Sequence, residues 1–418
     1  MEKQDRTTQN GQSNSTVSSS RRDFIKLCSA ATVGGVSSLI LPRSPEAQES
    51  LDLLKIRASK DFQNELFWRF VRAQFVLKPN ITYMNTGTEG SMPRCVLSRL
   101  RSAFKEFAQN PWDAVVEHDC YCYFMWEIAD TLAPFLGVTP EETILTTNTT
   151  EGMAFVANGL ELNEGDEVLS SMHFSPYDTA WKILRDRRNI VYTEIELPTP
   201  ASSKEEILAG FESAITPQTK VLTFCHINFS TGLRMPVEEL CELARAHNII
   251  TVVDGAHAPG MINVDLKQLG CDFYAGSLHK WLNGPPGTGV LYIRQGAQDL
   301  LWPTVSEGYP SPHNRKLEFQ IRGQQCTPAY TGLIDAIDFQ NAIGKEKIEQ
   351  RVLSLSSYLK EKIIETWSDA YLYSPLEEEL STGLVSFNPF DDPYENTNPS
   401  AVSRTLRDEY NTIIRYIW

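Results

Sequence analysis

One lysine, Lys280, stands in the run Tyr274-Ala-Gly-Ser277-Leu-His279-Lys280-Trp281, just ahead of a Gly/Pro-rich loop leading into the apolar segment 290–293. Twenty-six positions upstream, the apolar stretch 251–253 ends in Asp254 and continues through Gly255 and Ala256 to His257. An acid at a strand end and a lysine on a nearby loop can hold the two ends of a flat cationic cofactor.

Other stretches place polar groups in comparable positions. Strand 143–147 runs into Asn148-Thr149-Thr150-Glu151-Gly152 at a helix start. Free backbone N–H groups and the helix dipole favour an anion such as phosphate there, although the same threonines also serve as plain caps. Strand 167–170 delivers His173, whose ring can lie flat on a cofactor or sit as an ordinary loop histidine. Strand 220–227 delivers Asn228. The turn 85–90 is rich in glycine, which lets backbone approach a ligand or simply joins strand to helix.

These positions require a particular scaffold. Pro93 opens a helix through Leu97, Leu100 and Phe104; a second runs over 126–136 and stops at Gly137. Strands at 143–147, 167–170, 190–197, 220–227 and 249–253 alternate with helices through Leu160, over 204–215 and over 237–247. That rhythm predicts βαβ units, an α/β class and a mostly parallel sheet. Ligands in such sheets bind at the carboxyl ends of strands, where Asn148, His173, Asn228, Asp254 and the Lys280 loop would meet. Apolar spacing over 53–75 predicts one helix packed on this body. After Ile293 the pattern changes to a turn-rich crossing (317–328), an amphipathic helical region (334–365) broken near Gly344, and strands near 384–387 and 412–416. The expected divisions are a leader (1–47), a helical segment (48–80), a large domain (81–315) and a smaller α+β domain (316–418).

Composition narrows the function classes. A chain of 418 residues, 41% hydrophobic and without an apolar run of membrane-spanning length, reads as a globular body of about two domains. The net charge of −15 argues against nucleic acid as a partner. Eight cysteines scattered over this length make no disulfide framework. Cys120-Tyr-Cys122 lacks a second pair at metal spacing, so no metal site is expected. Residues 1–20 are polar, and Ser20-Arg21-Arg22-Asp23-Phe24-Ile25-Lys26 followed by a mild apolar stretch to Leu41 resembles a bacterial twin-arginine signal. It implies the twin-arginine machinery as partner, a periplasmic or otherwise exported enzyme, and removal of the leader near Ala47.

The runs 229–237 (Phe-Ser-Thr-Gly-Leu-Arg-Met-Pro-Val), 254–261 (Asp-Gly-Ala-His-Ala-Pro-Gly-Met) and 276–281 (Gly-Ser-Leu-His-Lys-Trp) resemble the class V aminotransferase superfamily of pyridoxal-phosphate (PLP) enzymes. The likeness is to the isopenicillin N epimerase-like branch, related to cysteine desulfurases and selenocysteine lyases. It implies the PLP-transferase fold type I, with a mostly parallel seven-stranded sheet flanked by helices. It also implies Lys280 as the Schiff-base lysine and proton shuttle, Asp254 at the pyridine nitrogen, and His257 with Asn228 at the phenolate oxygen. His173 would stack on the ring, and Thr149, Thr150, Ser277 and His279 would hold the phosphate. Gln324 would reach the phosphate of a partner subunit in a homodimer.

Three departures accompany the likeness. Phe229 stands where desulfurases carry asparagine. Cys326 is the only cysteine after Lys280, which disfavours sulfur transfer through a protein persulfide. The chain stops soon after Arg415, before the arginine that in relatives binds the substrate carboxylate, leaving Arg315, Arg322 and Arg415 as substitutes. The expected activity is chemistry at the α carbon of an amino-acid-type substrate, ending in epimerisation, transamination or elimination. The alternatives are a cysteine or selenocysteine lyase, and a PLP-binding protein with impaired catalysis.

Overall fold

The computed structural model describes residues 43–57, 63–111, 122–171, 178–306, 319–389 and 398–417. The leader through Pro42, Cys120, His173 and Arg315 lie outside the described residues. The body opens with α1 (Pro45–Arg57), α2 (Glu65–Arg72), the two-residue strand β1 (Thr82–Tyr83), α3 (Arg94–Gln109) and α4 (Cys122–Phe135). A strand–helix passage follows: β2 (Thr143–Thr146), α5 (Thr149–Gly159), β3 (Glu167–Ser171), α6 (Thr179–Arg188), β4 (Val191–Ile195), α7 (Lys204–Ala214), β5 (Thr219–Cys225), α8 (Val237–Ala246) and β6 (Ile250–Asp254). Then come the short α9 (Leu266–Leu269), β7 (Phe273–Ser277) and β8 (Gly289–Ile293). The chain continues through α10 (Thr327–Ile343), α11 (Lys345–Thr366), β9 (Tyr371–Leu372), β10 (Phe387–Asn388), α12 (Pro399–Tyr410) and β11 (Thr412–Ile413).

Seven strands form one sheet in the order β2-β8-β7-β6-β5-β3-β4, parallel except for β8, which runs antiparallel to both β7 and β2. Near-continuous apolar runs build it because successive side chains point to opposite faces, and both faces are covered. Ile144, Val168, Val221, Val252, Phe273 and Leu291 enter one core together with α5 and α6. Their neighbours Leu145, Leu169, Leu222, Val253, Tyr274 and Val290 enter the other, with α1, α4, α7, α8 and α10. The parallel register pairs Cys225 with Asp254 and Asp254 with Ala275, while Ser277 and Thr146 both oppose Gly289. The site stretches therefore leave the sheet along one edge.

The structure departs from the sequence expectations in five places. The helix expected over 53–75 is divided, because Asn64 caps α2 by accepting from Phe67 N at 3.1 Å. The leader boundary expected near Ala47 falls inside α1, where Ala47, Leu51 and Leu54 are buried in the core. Helix α6 was not anticipated; only Trp181 and Leu184 of its face are buried, too few to mark a period. Helix α10 begins at Thr327 and is buried in all but two of its 17 residues, so it is a core helix with no amphipathic face. Its Asp335 is held by Arg99 Nε at 2.5 Å and Arg43 Nε at 2.6 Å, tying the start of the body to the core. Finally, β1 pairs in parallel with β11, bringing the turn after residue 83 beside the last strand.

Candidate active site

The ends of β2, β6 and β7 frame a cavity of about 160 Å³. Asp254, Ser277, His279 and Lys280 line it, facing Thr149 and Thr150 at the start of α5.

Asp254 is 5% exposed, and burial pushes its carboxyl up to about 6. One oxygen accepts from Ala256 N at 2.8 Å. Behind it, His226 N donates to the Asp254 carbonyl, and the His226 ring pairs with Tyr274 Oη at 3.0 Å. Burial pushes that imidazole down to about 3, so it is neutral and offers Asp254 no cation. Gly255 is required here, since a Cβ would sit 2.0 Å from the Tyr274 ring. The remaining acceptor capacity of Asp254 faces the cavity, where it suits a cationic N–H.

Lys280 is mostly buried, and burial is the largest influence lowering its pKa; Arg415 lowers it further, while Asp254 and Glu89 oppose. Its Nζ lies 3.1 Å from His257 Nε2. The turn 85–90 closes over this pair. Gly90 N donates to His279 O at 2.8 Å, and a Cβ at Gly90 would come 1.9 Å from Lys280 O, so only glycine fits. Phe229 stacks on His257 with ring centres 6.4 Å apart and planes within 16°. Asn228 is buried nearby, and its Oδ1 accepts from Ser230 N, Ser230 Oγ and Thr231 N. That oxygen organises its own turn.

The opposite wall is an anion cup. Asn148 caps α5 through Glu151 N at 2.9 Å, and Thr149 N and Oγ1 meet Ser277 Oγ at 3.3 and 2.8 Å. His279 Nδ1 donates to the Thr288 carbonyl at 3.0 Å, which holds the ring at the cavity wall. Arg322 is committed elsewhere. It pairs with Glu151 at 2.8 Å, donates to Leu145 O at 2.7 Å and covers Phe155, clamping the first turn of α5.

Of the expected residues, Lys280, Asp254, Thr149, Thr150, Ser277 and His279 share the cavity, and His257 touches Lys280. Gln324 is exposed and is not part of the cavity lining. Sequence reasoning named Arg415 only as one of three candidate arginines, and it missed the contact of Gly90 with Lys280, the stacking of Phe229 and the charge of Glu89. Arg415 follows β11, whose Ile413 O accepts from Met84 N, so the β1–β11 pair sets it beside the covering turn. It pairs with no carboxylate among the described residues, where no group of metal-binding side chains occurs either.

A carboxylate awaiting a ring N–H, an amine of lowered basicity and an anion cup together fit a flat pyridine bearing a carbonyl and a phosphate. The aminotransferase class-V family matches residues 82–415. An isopenicillin N epimerase of Streptomyces clavuligerus is 32% identical over 338 residues, covering 77% of this chain and 84% of that one. A probable cysteine desulfurase of Halalkalibacterium halodurans is 28% identical, over 78% and 80%. Among solved structures, a C-DES mutant with glycine covalently linked to the PLP cofactor superposes with a TM-score of 0.73 at 23% identity, over 83% of this chain and 91% of that one. The apo cysteine desulfurase of Thermococcus onnurineus gives 0.71 at 24%, over 86% and 88%; both likenesses speak for the fold.

Proposed function

Since the chain belongs to the class V aminotransferase family, and is thus a PLP-dependent enzyme, we propose that it breaks and remakes bonds at the α carbon of an amino-acid-type substrate. The observation that carries this reading is the buried Asp254 carboxylate, raised to about 6 and facing a cavity that also holds Lys280 and the start of α5. Bound there, PLP supplies an electron sink for the charge left on the α carbon. Asp254 holds the proton at the ring nitrogen, and Ser277, His279, Thr149 and Thr150 hold the phosphate. His257 donates at the ring oxygen, on the Phe229 face; Asn228 keeps that turn in place. His173 is proposed as the ring-stacking partner. Lys280 anchors the cofactor and moves the proton at the α carbon, and burial lowers the basicity of its amine.

Arg415 is proposed as the carboxylate ligand, because Arg322 is occupied and Arg415 stands by the turn over Lys280. Proton removal and return, as in an epimerase or transaminase, is favoured over sulfur transfer. Among the described cysteines, Cys225 is buried beside Asp254 on the neighbouring strand with its thiol pushed well up, and Cys326 is exposed on the crossing that carries Gln324. Gln324 is assigned to the partner's phosphate in a homodimer, and a monomeric mass in solution removes that assignment. Export through the Arg21-Arg22 signal completes the proposal.

The test is optical and chemical. Protein loaded with PLP is expected to show a visible absorbance band that Lys280→Ala abolishes, and L- and D-amino acids are expected to shift it. Opposite enantiomer, keto acid or sulfide in the products then names the reaction. A loaded native protein without the band would sink the proposal.

A further inference from the structure

The side chain next to Lys280 in sequence has its own link to the site. Trp281 Nε1 donates to His257 Nδ1 at 3.4 Å, while His257 Nε2 lies 3.1 Å from Lys280 Nζ. An indole N–H donates and never accepts, so Nδ1 must offer a lone pair to it. A neutral imidazole then carries its proton on Nε2. With a proton on Nε2, the contact to Lys280 is a hydrogen bond only if Nζ supplies a lone pair. An ammonium there would set two donors face to face.

From this geometry we infer that Trp281 is a positioning residue: it fixes His257 as the Nε2–H tautomer and thereby holds Lys280 as the free amine. Several features keep the ring from turning away. Phe229 stacks on it, and Gly87 lies so close that a Cβ there would come 3.3 Å from Cε1. The Trp281 backbone is itself pinned, its carbonyl accepting from Gln340 Nε2 at 3.0 Å. The charged groups around the pair are Asp254 at the end of β6, Glu89 on the covering turn and Arg415 after β11. Burial lowers the Lys280 pKa in the same sense as the tautomer. A free amine is the form that attacks an aldehyde, so the device serves cofactor capture, and in that respect it rests on the function proposed above.

The test uses the full chain labelled with 15N-histidine, both cofactor-free and PLP-loaded, with the His257 signals assigned by their loss in His257→Gln. Native protein is expected to show the Nε2–H tautomer at both states near pH 8. Trp281→Phe, and a benzothienyl side chain at 281 that keeps the indole shape without its N–H, are expected to populate Nδ1–H. In the same variants, cofactor-free Lys280 is expected to react with a small aldehyde about tenfold more slowly at neutral pH, as its half-reactive pH rises by about one unit. A native Nδ1–H tautomer, or tautomer populations unchanged in both variants, overturns the inference. A cofactor band that survives Lys280→Ala would instead remove the proposed function and leave the tautomer result standing.

Discussion

Replacing Asp254 by asparagine separates what burial costs from what the cofactor returns. In the cofactor-free fold the carboxyl is raised from 3.8 to about 6, chiefly by burial; in the unfolded chain it titrates near its ordinary value. Between those pH values the folded state holds a proton that the unfolded state has released. Stability therefore falls as pH rises through this window, and the full penalty stands above pH 6. At about 1.4 kcal/mol per pH unit the rise corresponds to roughly 3 kcal/mol. Asparagine keeps an oxygen for Ala256 N and removes the charge. Cofactor-free Asp254→Asn is thus expected to match native protein near pH 4 and to exceed it by roughly 3 kcal/mol at pH 7.5. Loading PLP should reverse the order at pH 7.5, since the carboxylate then gains its cationic partner. Urea midpoints measured from pH 4 to 8, with and without PLP, read both arms. A difference independent of pH, or a cofactor-free variant less stable than native at pH 7.5, would refute the reasoning.

The remaining predictions concern the substrate side, the covering turn and the leader. Arg415→Ala is expected to raise KM by about tenfold or more while leaving the PLP band in place, with Arg415→Lys recovering only part, because a point charge replaces a bidentate fork; steady-state kinetics beside cofactor spectra check it. Gly90→Ala is expected to lower PLP affinity and thermal stability together, since the added methyl meets the Lys280 carbonyl at 1.9 Å; cofactor titration with a melting curve checks both. Arg21→Lys with Arg22→Lys is expected to retain the enzyme in the cytoplasm, and cell fractionation showing unchanged export would reject the signal.

The cofactor half of the site was legible because its parts are local in sequence. Asp254 ends an apolar run, Lys280 follows Ser277 by three residues and His279 by one, and Thr149 follows a strand by three residues. Each is placed by the strand that precedes it, and strands announce themselves by apolar, β-branched composition. The alternation of strands and helices likewise carried the α/β class and the mostly parallel sheet, while the number of strands came with the family resemblance. The covering side of the cavity was only partly legible. Its covering turn and Arg415 meet only through two-residue strands whose partners, Thr82 and Thr412, stand 330 positions apart. Such a pairing has no period to read. Helix α10 hid its start because a helix buried on every side has no polar face, and Asp335 within it makes sense only beside Arg43 and Arg99. The sequence by itself determined which polar side chains gather at the cavity, because each belongs to a single strand end. The tertiary structure alone decided what covers Lys280, which arginine stands near it and which nitrogen of His257 faces it. Those choices depend on side chains from distant segments competing for the same few ångströms.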